Sequence, residues 1–227
     1  MAQASGQLPH ADVDHSYTTT GLNHRKLLMW VFLSSDCLFF GSLIATYMVY
    51  RGQSLVGPYP IDIIDVPITT ISTFVLLCSS FSMVRALAAT NRNDQRGIQL
   101  WLLATALMGS IFIGFQVYEL NLFRAEGLKI DTNLFGSTFF TLTGFHGAHV
   151  TLGIVWLVSL FIIARKGRLG PATALDVEIA GLYWHFVDIV WIVIFTLLYL
   201  IGGFDRGPEA AHAAANWLGS VLAVVPI

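Results

Sequence analysis

Five apolar stretches, near residues 27–50, 66–89, 98–119, 136–164 and 178–202, leave this chain few ways to fold. At about 1.5 Å of rise per helical residue, each can cross a hydrocarbon layer roughly 30 Å thick. Inside such a layer only helices and closed barrels satisfy every backbone N–H and C=O group. The stretches show no sustained period-2 alternation, which argues against the strands of a barrel. The expected fold is therefore all-α: a polytopic membrane helical bundle with five transmembrane helices. Composition agrees, because 55% of residues are hydrophobic and only 11% are charged, where a soluble domain is about a quarter charged. The breakers lie between the stretches, as in Gly57-Pro58-Tyr59-Pro60, Asn91-Arg92-Asn93-Asp94 and Gly167-Arg168-Leu169-Gly170-Pro171.

The polar ends and loops carry the remaining information. Residues 1–25 form a polar N-terminal segment without an apolar run of signal-peptide type, so no cleaved targeting segment is expected. Residues 26–203 form the five-helix domain, and residues 204–227 a tail. Within that tail, Asn216 to Ile227 is apolar but too short to span, which suits an interfacial or partly disordered segment or contact with a neighbouring subunit. Arg25, Lys26, Arg85, Arg92, Arg96, Arg165, Lys166 and Arg168 fall on one side of the expected topology, against Arg51, Arg124, Lys129 and Arg206 on the other. This asymmetry predicts a cytoplasmic N-terminus and a C-terminus across the membrane. A net charge of -2 offers no basic face for nucleic acid. Cys37 and Cys78 both lie in apolar runs and are read as buried free thiols.

Ionisable residues at membrane depth are costly unless paired or facing a wet interior, so each is informative. Asp36 lies about 14 Å into the first stretch. It is read either as a proton-linked carboxyl or as a neutral acid bonded across helices. Gly144-Phe145-His146-Gly147-Ala148-His149 places two histidines three apart on one side of the fourth helix, beside small residues that allow close approach of a helix or lipid. Trp184-His185-Phe186-Val187-Asp188 repeats the i, i+3 spacing in the fifth, and Glu119 is expected to close the third. Two histidines and two carboxylates raise a metal hypothesis, since bundle di-metal sites use Glu and Glu-x-x-His. The simpler reading is a polar cluster that braces helices or holds lipid headgroups. His10, His15, His24 and His212 lie in terminal segments and are read as solvated.

Phosphate-binding, dinucleotide-binding and nucleophile-elbow motifs are absent from the sequence. No cysteine pair has metal-ligand spacing, and no nucleophile has an evident base. The chain alone is expected to perform no covalent chemistry. Two other classes remain open at this point. A membrane metalloenzyme would use His146, His149, His185 and Asp188. A small proton-coupled transporter would use Asp36 and the His/Asp pairs, and would show broken helices or repeats about the midplane.

Longer motifs narrow this choice. Phe135-Gly136-Ser137-Thr138-Phe139-Phe140, continuing to Gly144-Phe145-His146-Gly147-Ala148-His149-Val150, resembles the signature of the cytochrome c oxidase subunit III family. So do Glu178 through Tyr183-Trp184-His185-Phe186-Val187-Asp188-Ile189-Val190-Trp191, and Ser35-Asp36-Cys37-Leu38-Phe39-Phe40. Gln116-Val117-Tyr118-Glu119 is similar to that family's Q-x-x-E-Y, with Leu120 in place of the aromatic residue. The resemblance covers about residues 26–203 and fits the family's five-helix form. It implies a subunit of a haem–copper terminal oxidase that reduces dioxygen to water and moves protons. Haem and copper then belong to subunits I and II, and this chain holds none. The expected partners are subunit I above all, subunit II, small subunits or a respiratory supercomplex, phospholipids, and cytochrome c as donor to the complex. The expected place is the bacterial plasma membrane. Asp36 falls where many members carry a carbodiimide-reactive Glu, one methylene longer. By position, Glu119, His146, His149, His185 and Asp188 would line or brace a lipid cleft, with Trp184 and Arg85 as further lipid contacts. Thr143-Gly144-Phe145-His146-Gly147 resembles the cytochrome c branch more than the quinol branch, where Gly-Thr-His-Gly is more frequent.

Overall fold

The computed structural model describes residues 23–54, 57–58 and 64–202. The tail over 204–227 and the first 22 residues lie outside them. Five helices have the length and apolarity to span a membrane. They are α1 (His24–Tyr50), α2 (Val66–Asn91), α3 (Gln95–Ala125), α4 (Leu134–Arg165) and α5 (Ala174–Ile194). A 3-10 turn at Pro171–Thr173 leads into α5, which continues as a π-helix over Phe195–Ile201.

Short polar side chains set the helix starts. Asn23, Asp94 and Asn133 accept from the backbone N–H groups of Arg25, Gly97 and Gly136, and Asp65 does so weakly for Ile68. Each satisfies one of the donors a helix N-terminus leaves open. Glycines end α3 and α4: Gly127 has φ 92° and Gly167 φ 67°, a left-handed turn that side chains resist. One expectation is corrected here. Glu119 does not close the third helix, because α3 runs on to Ala125 and Glu119 lies buried within it.

α5 is the centre of the bundle. α1, α2 and α4 all pack on it, α2 also packs on α3, α3 on α4, and α4 on α1. The burial differs accordingly: 44% of the most apolar stretch of the α5 span is inside, against 17% for α1. Two ion pairs tie the start of α1 to the start of α5, Arg25–Asp176 and Lys26–Glu178, both at 2.5 Å. At the other end Arg51 donates to the Ile201 carbonyl over 2.9 Å. Lipid is as apolar as a leucine core, so these helices associate through close packing and polar contacts more than through the hydrophobic effect.

The cysteines correct a second expectation. Both are free, but Cys37 is exposed on α1 and Cys78 is half-buried. An apolar run marks what hydrocarbon tolerates and does not separate a lipid-facing residue from a core one.

Candidate functional site

Bracing begins on α2, where hydroxyls recur at helical spacing: Thr69, Thr73, Ser79 and Ser80. Trp191 Nε1–H donates to Thr73 Oγ1 and Trp184 Nε1–H to Ser79 Oγ, both over 2.9 Å. Ser80 donates to Asp188 Oδ2, and its oxygen lies 2.8 Å from His185 Nδ1. A hydroxyl has one proton to give, so with that proton on Asp188 the His185 nitrogen is the donor to Ser80. A hydrolytic triad places the imidazole between serine and acid; here the serine is in the middle, and the three groups clamp α2 to α5. Thr73→Val should therefore lower bundle stability by about 0.6–1.7 kcal/mol, the range for interhelical bonds in membranes. Thermal unfolding of the purified protein in detergent would measure it, and an unchanged midpoint would remove Trp191–Thr73 from the bracing set.

Further along the same seam, Glu119 Oε1 accepts from Thr69 Oγ1 at 2.7 Å and Oε2 from Tyr199 OH at 2.9 Å. The carboxylate thus joins α2, α3 and the π-helical end of α5. One turn earlier on α3, Gln116 Nε2 donates to the Thr143 carbonyl over 2.8 Å. Gly147 gives that amide its room, because a Cβ there would lie 3.1 Å from Gln116 Oε1.

The two histidines of α4 separate. Residues three apart diverge by about 60° around a helix, and here that angle decides their surroundings. His146 is fully buried, stacked on Trp191 at 4.9 Å and flanked edge-on by Phe40 and Phe112. His149 turns to α1, where its Nε2 lies 3.5 Å from Asp36 Oδ2, an ion-pair distance. Its Nδ1 is 2.7 Å from the Phe145 carbonyl and must donate there, since a carbonyl only accepts. The Nε2–Oδ2 contact is an ion pair when the imidazole is protonated, and at 3.5 Å it is not a hydrogen bond. The Tyr183 hydroxyl holds the His149 carbonyl over 2.9 Å, fixing this turn of α4 to α5. Both side chains keep some exposure, 17% for His149 and 13% for Asp36.

The predicted site residues therefore form separate groups: Asp36 with His149, His185 with Asp188, Glu119 with Tyr199, and His146 among aromatic rings. Among the described residues no three His, Cys, Asp or Glu side chains converge. Trp184 belongs to the core, between Gly109 and Gly153. Arg85 is exposed on α2 with its guanidinium 5.3 Å from the Trp101 ring centre. Thr69, Thr73, Ser79, Ser80, Gln116 and Tyr199 were not singled out from sequence as site residues. The available signal for the α2 hydroxyls is the helical spacing of Thr69, Thr73 and Ser80, four and seven residues apart.

Comparison with known proteins gives a family. The model of cytochrome c oxidase subunit III matches residues 12–203. Cytochrome c oxidase subunit 3 of Bacillus sp. (strain PS3) is 38% identical over 189 residues, covering 83% of this chain and 91% of the relative. Quinol oxidase subunit 3 of Bacillus spizizenii is 37% identical over 202 residues, covering 89% and 98%. Cytochrome c oxidase subunit 3 of Alkalihalophilus pseudofirmus is 36% identical over 186 residues, covering 82% and 90%. Overall identity thus does not separate the two donor branches.

Proposed function

Because the chain belongs to the cytochrome c oxidase subunit III family, we propose that it serves a bacterial terminal oxidase as a subunit without redox centres of its own, packing on subunit I, retaining phospholipid and supporting proton uptake. The complex is then a proton-translocating oxidoreductase, with haem and copper in subunits I and II. The observation that carries the proton-linked part is the Asp36–His149 pair: an acid and an imidazole at ion-pair distance, partly exposed and within a membrane span. The other buried carboxyls, Glu119 and Asp188, are committed to hydroxyls that brace helices. Phospholipid retention rests on exposed Arg85 beside Trp101, a cation and an indole suited to a headgroup boundary. The surplus of basic residues around the start of α1 and the α2–α3 and α4–α5 loops supports a cytoplasmic N-terminus.

Cytochrome c is the proposed donor to the complex, on the Thr143-Gly144-Phe145-His146-Gly147 segment. The quinol reading is favoured by the Bacillus spizizenii relative, a quinol oxidase subunit 3. A copper-binding Cys/His cluster in subunit II of the purified complex would decide for cytochrome c, and its absence for quinol.

Asp36→Asn should leave assembly largely intact and shorten the active life of the oxidase. Asparagine keeps the shape and removes the titratable carboxyl. Oxygen consumption followed over many turnovers is the test; a time course identical to that of the unaltered complex would remove Asp36 from proton uptake.

A further inference from the structure

His146 is buried completely, and neither ring nitrogen has a hydrogen-bond partner among the described residues. This is unusual twice over. Buried polar groups almost always find a partner, and the helical His149, three residues on, finds one in the carbonyl of Phe145. A second orphan sits beside it. Gln116 is 5% exposed, and its Oε1 has no partner although its Nε2 is held by Thr143. That bond fixes the amide against Thr143 and Gly147 of α4, and His146 follows Thr143 by three residues on the same helix. Phe112, one turn before Gln116 on α3, touches the His146 ring. The two orphans therefore occupy one region between α3, α4 and α5.

We propose that this region is a binding site for a single water molecule, held between a His146 ring nitrogen and Gln116 Oε1. The required ligand must donate to Gln116 Oε1, which only accepts, and must either accept the imidazole N–H or donate to the imidazole lone pair. It must also be small, since aromatic rings of Phe40, Phe112 and Trp191 surround the imidazole. Water meets both conditions, and buried waters characteristically have two to four polar partners. The site makes His146 a positioning residue for Gln116, which in turn neighbours Glu119 on the same side of α3. Nothing in this depends on the proton-uptake role of Asp36.

The test uses the intact oxidase complex. A cryo-electron microscopy map that resolves waters elsewhere in the helices should show one peak within hydrogen-bond distance of a His146 nitrogen and of Gln116 Oε1. A map without that peak, or with His146 bonded directly to Gln116, would overturn the proposal. A second arm is independent of density. His146→Phe should shorten the thermal half-life of the complex about tenfold, Gln116→Leu by more because it also loses the bond to Thr143, and the double variant by no more than Gln116→Leu alone, because one shared water is lost once. Losses that multiply in the double variant would refute the shared site.

Discussion

Trp184→Ala is expected to destabilise the bundle by about 3 kcal/mol, with the loss read as a lowered unfolding midpoint in mixed detergent. The indole is 1% exposed and fills the space between α3 and α4. A Cβ on Gly109 would come within 2.5 Å of its ring, and one on Gly153 within 2.9 Å. Both glycines are thus shaped to the tryptophan, and Ser79 takes its N–H. In soluble proteins such truncations cost roughly 3–5 kcal/mol, part from transfer and part from the cavity. In a membrane the transfer part shrinks, since the separated helix face would meet lipid, but lost dispersion contacts remain. The lower end of the range follows. Trp184→Phe keeps most of the volume and should cost less than half as much. Gly153→Leu attacks the same contact from the other side and should be at least as damaging as the alanine variant. A change below about 1 kcal/mol for Trp184→Ala would mean that α3 and α4 can close over the gap, contrary to the packing described.

Loss of Glu119 should be the next largest effect. Glu119→Ala removes the acceptor of two buried hydroxyls, and each stranded group costs about 1–3 kcal/mol. Thr69 can turn its single hydroxyl proton to the Asp65 carbonyl, 3.1 Å away, so Tyr199 bears most of the loss. The expected total is about 2–3 kcal/mol. Tyr199 lies in the π-helical segment Phe195–Ile201. A π-turn is rare and needs outside support, which here includes the anchor on α3. Hydrogen exchange of the 195–201 amides should therefore quicken in Glu119→Ala, more than at the start of α5. Glu119→Gln, which preserves an acceptor for Thr69, should show a smaller shift in both readouts. Unaltered exchange in the alanine variant would show that the π-segment holds itself.

The helices were legible in the sequence because length and apolarity are the properties a bilayer selects, and α1 to α5 begin and end within a few residues of the apolar stretches except where caps extend them. α3 was underestimated at both ends: Asp94 caps it early, and Glu119 looked like a terminus while serving as an internal brace. The candidate residues were legible singly, since a charge inside a span is conspicuous. Their grouping was not. His146 and His149 share a side by spacing, yet about 60° of rotation sends one to the core and the other to Asp36. The α2 hydroxyls were hidden for a different reason: Ser and Thr also bond their own helix backbone, as Thr73 does with the Thr69 carbonyl, so their presence alone does not announce an interhelical bond. Only the position of Trp184, Trp191, Glu119, His185 and Asp188 across the interface distinguishes the bracing hydroxyls from the rest.

As proposed, this chain supports a redox complex without carrying its redox centres. Purification in mild detergent, with identification of the accompanying subunits, metal analysis and visible spectra of complex and separated chain, tests it most directly. The chain is expected to co-purify with subunits I and II, the complex to show haem absorbance and contain copper, and the separated chain to have neither. Stoichiometric haem or metal retained by the separated chain, or a chain that purifies alone with full activity of its own, would contradict it.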